Sequence, residues 1–314
     1  MTELKDTPNV LVLGHTGFLG SHIFKQLQIE NHKVFGVSRS TGHDMRNFNV
    51  ISEILKTHNP DVIINCAANV GGIAYGLQNR VTIFKDNSQI NLNVLELAHQ
   101  ANAKLINPIS NCSYPGGLTR YSEENYWNGP VDSSVSSYGN AKRMLVAGTH
   151  EYAENFNLKC LNIVFPNLYG PGDHLDPVRA HALGGIVSRM LEAKQNGLAS
   201  FIVWGTGKPV REWLYIDDAV EAIIRNFDTN VVSSLVNAGS GNGISIYDLT
   251  VKIAESVGYK GKLILDESLP DGASVKLMDF KLGQRLLNWS PKISIDEGIP
   301  LTVDWFRNNK GKDS

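Results

Sequence analysis

A short apolar run, Val10-Leu-Val-Leu13, passes directly into Gly14-His-Thr-Gly17-Phe-Leu-Gly20 and then into a helical segment reaching Glu30. Consecutive apolar residues suit a strand covered on both faces, and glycines between strand and helix let backbone amides approach a pyrophosphate at the helix N-terminus. The spacing is GxxGxxG rather than GxGxxG, so by itself it also fits an ordinary tight turn. Its place between strand and helix favours a dinucleotide site built from Gly14, Thr16, Gly17, Phe18, Leu19 and Gly20.

The alternation continues with strands at Lys33 to Val37, Asp61 to Cys66 and Leu105 to Ile109, and a helix near Ile83 to Asn102. Such a rhythm predicts an α/β fold, a doubly wound parallel sheet of Rossmann type. After a strand at Cys160 to Val164, Pro166, Pro171, Pro177 and several glycines interrupt it before a helix at Gly185 to Asn196. A smaller α/β substrate domain is therefore expected to interleave with the first. Residues 1–166 with about 211–236 would form the dinucleotide domain, and about 167–210 with 237–306 the substrate domain. Arg211 to Phe227, a strand and a helix opened by Asp217 and Asp218, is expected to return to the sheet, and 307–314 to form a flexible tail.

With 314 residues, 42% hydrophobic and 19% charged, the chain can bury a large core. A net charge of −2, with both signs scattered, offers nothing for nucleic acid or a membrane surface. No run reaches spanning length and the N-terminus is charged, so a cytoplasmic protein is expected. Cys66, Cys112 and Cys160 have neither disulfide nor metal spacing.

The second strand ends at Ser38-Arg39-Ser40, where an NAD site usually presents a carboxylate to the ribose. A guanidinium among hydroxyls suits a 2′-phosphate, which favours NADP, with NAD as the alternative. Asp44 falls where such folds place an acid near the adenine, and Ala67 and Ala68 are small enough to let a cofactor pass.

Tyr138 and Lys142 stand at i and i+4, on one helix face. A neighbouring ammonium is expected to lower the phenol pKa and make Tyr138 a proton donor near neutrality. Ser110 ends a strand 28 residues earlier, at the ligand-binding edge of the sheet, where its hydroxyl can bond the same substrate oxygen.

Taken together, the glycine turn, Ser110, Tyr138 and Lys142 resemble the extended short-chain dehydrogenase/reductases, the NAD-dependent epimerase/dehydratase superfamily. Within it the chain is most similar to the GDP-L-fucose synthase family, through AANVGGI (67–73), SNCSYP (110–115), NLYGPGD (167–173), VWGTGKPVREWLYIDD (203–218) and PDG (270–272). The resemblance implies proton exchange at the sugar carbons flanking a C4 ketone by Cys112 and His181, followed by hydride delivery to C4. It also implies Arg211, Arg189 and Lys276 for the diphosphate, Asn167 in the sugar pocket and Trp204 near the base. Sugar-nucleotide dehydratases carry Asp-Glu after the catalytic hydroxyl; Asn111 and Cys112 stand there instead, which argues against elimination. Two departures from the family are Thr16, in place of an arginine tied to NADP, and Val275, in place of one before Lys276.

The expectation is an NADPH-dependent epimerase/reductase of a nucleotide-linked 4-keto-6-deoxyhexose, homodimeric through helices 83–102 and 137–157 of each subunit. The alternatives are a C4 reductase, a 4-epimerase that retains NAD, and a nucleotide-sensing module without turnover.

Overall fold

The computed structural model describes residues 7–176, 179–269 and 271–309. The chain opens with β1 (Val10–Leu13), α1 (Phe18–Ile29), β2 (Val34–Val37), α2 (Asn49–His58), β3 (Val62–Asn65), α3 (Ile73–Gln78), α4 (Arg80–Ala101) and β4 (Lys104–Ser110). It continues through β5 (Arg120–Tyr121), α5 (Ser136–Phe156), β6 (Cys160–Phe165), β7 (Asn167–Tyr169), α6 (Ala182–Gln195), β8 (Ser200–Trp204), β9 (Val210–Tyr215), α7 (Ile216–Ile224) and β10 (Ser233–Asn237). The remaining elements are β11 (Gly243–Ser245), α8 (Ile246–Val257), β12 (Lys262–Asp266), β13 (Val275–Met278), α9 (Lys281–Leu286) and α10 (Ile295–Asn309).

Six strands pair in parallel in the order β10-β6-β4-β3-β1-β2. Every residue of β1, β3 and β6 is buried, as strands clad on both faces require. On one face Leu11, Ile63, Leu105 and Val164 pack with α2, α4 and α5, and on the other Val12, Ile64, Ile106 and Leu161 pack with α1 and α7. Helices α2, α4 and α5 end on Asn59, Asn102 and Asn157 in the left-handed conformation, a stop signal that asparagine tolerates almost as glycine does.

Three buried asparagines cross the sheet at one level. Asn65 donates to Asn107 Oδ1 at 3.1 Å, Asn107 to Asn162 Oδ1 at 2.9 Å, and Asn162 to Thr149 of α5 at 2.7 Å. The ladder ties β3, β4 and β6 to the helix that carries Tyr138 and Lys142.

A second sheet has the order β11-β9-β13-β5, with β7 also on β9, and β12 pairs with β8. Its core draws Leu183, Val187 and Met190 from α6, Leu249 and Ile253 from α8, and Ile299, Val303 and Phe306 from α10. The expectation that the strand after Arg211 returns to the large sheet is corrected here, because β9 belongs to the second sheet and only α7 and β10 return. Glu212 explains why: its buried carboxylate accepts the backbone N–H groups of Ser240, Gly241 and Met278 and so holds β13 against β9, while buried Asp218 in the first turn of α7 accepts those of Lys292 and Ile293. At the C-terminus α10 runs through Arg307 to Asn309, further than expected, with Phe306 anchored in the core. Residues 310–314 of the expected tail, and Pro177 and Pro270, lie outside the described residues. No described helix is long and apolar enough to cross a membrane.

Candidate active site

The first turn of α1 and the loop after β3 meet at van der Waals limits. Gly14 has φ +74°, and a Cβ on it would stand 2.8 Å from the Cys66 carbonyl carbon, while one on Gly20 would stand 2.2 Å from the Gly14 oxygen. Only glycine fits either place, so the turn lies flush against Cys66 and Ala67. Gly17 caps α1 without a side-chain bond and no acidic residue occupies the first turn, which leaves amide donors free for an anion. Leu19 turns its side chain into the two cores and contributes backbone alone, whereas Phe18 projects across to His181, ring centroids 5.5 Å apart.

At the end of β2 the hydroxyls of Thr16 and Ser40 are 3.0 Å apart and those of Ser38 and Ser40 2.9 Å apart, with Arg39 exposed beside them. Asp44 is engaged by Arg46, whose Nε donates to it at 2.9 Å and whose Nη1 also reaches Asp86 at 3.0 Å. The Arg46 bond holds the Asp44 carboxyl below the usual range. Ala67 and Ala68 line the loop next to the glycine turn. These residues fit a dinucleotide: amides for the pyrophosphate, a cation among hydroxyls for a ribose phosphate, and small side chains along its path.

Ser110 closes β4, and its Oγ accepts the Cys112 backbone N–H at 3.2 Å. Lys142 is buried on α5; its Nζ donates to the Pro108 carbonyl at 3.1 Å and lies 5.7 Å from the Tyr138 ring centroid. The expected lowering of the Tyr138 pKa is not what this environment gives. Burial pushes the phenol up, and the thiols of Cys112 and Cys66 push it further. Burial equally brings Lys142 down to about 8 and lifts Cys66 to about 12. No disulfide joins Cys66, Cys112 or Cys160.

The charges around Cys112 extend to Arg211 and Lys276. Tyr121 is raised by burial and by Cys112, and opposed by Arg211. Asp132, lowered chiefly by its bonds to Ser134, also feels Lys276 and Arg211. Arg211 and Lys276 are register partners across β9 and β13. Asn167 begins β7, and its amide donates to the Glu212 carbonyl at 2.9 Å, which fixes the strand beside Arg211.

A second patch lies further out. The Arg189 guanidinium covers Phe201 at 5.1 Å and Trp204 at 5.7 Å, leaving Trp204 57% exposed as an open aromatic plate. Asp271 joins the two patches: it accepts the N–H and hydroxyl of Thr206, both at 2.7 Å, and its charge acts on Arg211.

His181 is the N-cap of α6, which starts at Ala182 and not at Gly185 as expected. Asp173 holds it there, with Oδ2 accepting the His181 backbone N–H at 3.1 Å and Oδ1 standing 2.8 Å from Nδ1. Asp132, Tyr121, Asp271 and Asp173 were not singled out by sequence reasoning. Only Asp271 and Asp173 had a signal, each lying inside a stretch quoted for its neighbours.

Residues 10–239 match the NAD dependent epimerase/dehydratase family. The probable GDP-L-fucose synthase 1 of Oryza sativa is 32% identical over 96% of this chain and 92% of its own, and the GDP-L-colitose synthase of Yersinia pseudotuberculosis is 31% identical over 97% and 99%. A crystal structure of the GDP-L-fucose synthetase of Naegleria fowleri bound to NADP superposes with a TM-score of 0.85 at 26% identity, covering 96% of this chain and 94% of that one. With its glycine turn, its Ser110-Tyr138-Lys142 group and these similarities along nearly its whole length, the chain belongs to the NAD dependent epimerase/dehydratase family.

Proposed function

We propose that the protein is an NADPH-dependent epimerase/reductase of a nucleotide-linked 4-keto-6-deoxyhexose, of the kind its GDP-L-fucose synthase relatives represent. The observation that carries this reading is the position of Cys112, whose backbone N–H donates to Ser110 Oγ at 3.2 Å and whose carbonyl oxygen would stand 2.5 Å from a Cβ on Gly139, the residue after Tyr138. A sugar whose diphosphate rests on Arg211 and Lys276 would bring its ketone to Ser110 and Tyr138 and an adjacent carbon to Cys112. Ser110 and Tyr138 hold the oxygen on which enolate charge develops, and Cys112 and His181 exchange protons at carbons made acidic by the ketone. Bound NADPH supplies the hydride for C4, and Tyr138 gives the alkoxide its proton. Lys142, beside Tyr138 on α5, would position the ribose; Arg39 would meet the 2′-phosphate and Asp44 the adenine. Asn167 lies against the sugar, with Arg189 and Trp204 at the nucleotide end.

Residues 1–166 with α7 and β10 would hold the cofactor, and about 167–210 with 237–306 and β9 the sugar nucleotide, β5 and β9 making the seam. The colitose synthase stands at 31% identity beside a fucose synthase at 32%, so the reading names a class of sugar and not one configuration. Unpaired thiols suit a reducing compartment and support a cytoplasmic setting. Exposed Val81, Phe84 and Leu92 run along α4 with Phe156 nearby on α5, a stripe suited to pairing with a second copy as a homodimer through four helices. A Phe84→Glu variant running as a monomer in sedimentation would support that assembly, and an unchanged mass would refute it.

The direct test is incubation with GDP-4-keto-6-deoxymannose in deuterated water, with and without NADPH, followed by NMR of the sugar. Deuterium at C3 and C5 without reductant, and C4 reduction only with it, is the expected result. Cys112→Ser should lower exchange by about 10²-fold. Reduction without exchange would leave a C4 reductase. Absence of both with GDP-, dTDP-, CDP- and UDP-linked 4-keto sugars would overturn the reading.

A further inference from the structure

The NLYGPGD stretch ends in a carboxylate that neither cofactor nor diphosphate requires. The Asp173 side chain is 1% exposed, whereas that of His181 is 36% exposed. Asp173 Oδ1 lies 2.8 Å from His181 Nδ1 and accepts the backbone N–H of His174 at 2.8 Å, while Oδ2 accepts the backbone N–H of His181 at 3.1 Å. One shielded carboxylate thus grips both the ring and the main chain of the same histidine. Gly184 makes the fit, because a Cβ there would stand 2.5 Å from Oδ2.

We propose that Asp173 is the positioning residue for His181, keeping the imidazole hydrogen on Nδ1 and presenting Nε2 to the sugar carbon. An ionised carboxylate can only accept, so Nδ1 must carry hydrogen in both charge states of the ring, and Nε2 gains and loses the working proton. When that proton passes to the enolate carbon, the enolate electron pair becomes the new C–H bond. The imidazole is left neutral with Nδ1–H still donated to the Asp173 carboxylate. Burial of the ring opposes its charge, the bond and charge of Asp173 favour it, and the balance raises the His181 pKa. Phe18, in ring contact with His181, carries no charge.

This inference rests on the proton-exchange role of His181, and its test separates the two. Side-chain NMR of protein labelled with nitrogen-15 in histidine, with His181 assigned by its loss in His181→Asn, reads tautomer and titration without any substrate. In the wild type His181 should carry hydrogen on Nδ1 when neutral and titrate above the ordinary histidine value of about 6.5. In Asp173→Asn that midpoint should fall, and deuterium exchange into the keto sugar should drop about 10²-fold with KM and NADPH affinity unchanged. A wild-type His181 with hydrogen on Nε2, or an Asp173→Asn variant with wild-type titration and exchange, overturns the proposal. If the variant does not fold, the wild-type tautomer and midpoint decide it alone. The expected titration in a protein that exchanges no deuterium supports the pairing and counts against the epimerase reading.

Discussion

Arg211 and Lys276 stand side by side because β9 and β13 run parallel in register, with Asp132 facing both cations from the loop before α5. Two positive groups fixed on paired strands suit the proposed diphosphate seat, and the charges of Asp132 and Asp271, both of which act on Arg211, offset the repulsion between them. Replacing either cation by alanine should raise KM for the nucleotide sugar about tenfold, roughly 1.4 kcal/mol of binding, and leave NADPH affinity unchanged. Steady-state kinetics with fluorescence titration of NADPH checks both halves.

Cofactor choice rests on the other end of the site. Arg39 is exposed among the hydroxyls of Ser38, Ser40 and Thr16, and no acidic residue occupies the end of β2. Arg39→Ala should weaken NADPH about tenfold while hardly changing NADH, since only the first carries the 2′-phosphate. Equal losses for both cofactors would assign Arg39 a structural role.

The parallel sheet was legible because four-residue apolar runs and intervening helical segments leave few other arrangements, and β1, β3 and β6 fall within a residue or two of their expected places. The glycine turn was legible for a steric reason, since Gly14 and Gly20 sit where a Cβ cannot. β9 was misplaced because a six-residue strand ending in the apolar run Trp213-Leu214-Tyr215 looks the same in either sheet; its partner is decided by Glu212, whose buried carboxylate accepts the backbone N–H groups of Ser240, Gly241 and Met278 and draws β13 alongside. The phenol pKa was misjudged because helical spacing places Lys142 near Tyr138 but says nothing of burial, which dominates both groups. Asp173 escaped notice because its bond to His181 spans eight residues of sequence with no periodicity to reveal it.

Lys142 gives the site an alkaline limit. Its folded pKa of about 8 lies below the ordinary lysine value, so the ammonium is present below pH 8 and lost as pH rises through it, while the phenol of Tyr138 keeps its proton well beyond. The kcat/KM profile, which reports the free enzyme, should fall on the alkaline side with an apparent pKa near 8. Lys142→Arg, whose guanidinium stays charged above pH 12, should lower the rate and remove that limb. A limb that survives in the arginine variant belongs to another group.

The asparagine ladder predicts a stability effect without a change in the site's chemistry. Asn107 is fully buried and is both acceptor for Asn65 and donor to Asn162, and Asn65 Oδ1 already has no partner. Asn107→Ala would strand the Asn65 amide hydrogens in an apolar interior, remove the Asn162 donor and leave a small void. At about 1–3 kcal/mol for a buried polar group left unmade, a loss of at least about 2 kcal/mol is expected, read as a lower urea midpoint with the slope unchanged. Asn107→Asp should cost more, since a carboxylate can accept from Asn65 but cannot donate to Asn162, and its charge has no cation in the ladder. Because the ladder ends on Thr149 of α5, either variant should also loosen the helix that holds Tyr138 and Lys142, seen as faster amide exchange along α5 before global unfolding. Unchanged exchange in α5 with the same loss of stability would confine the ladder to holding strands together.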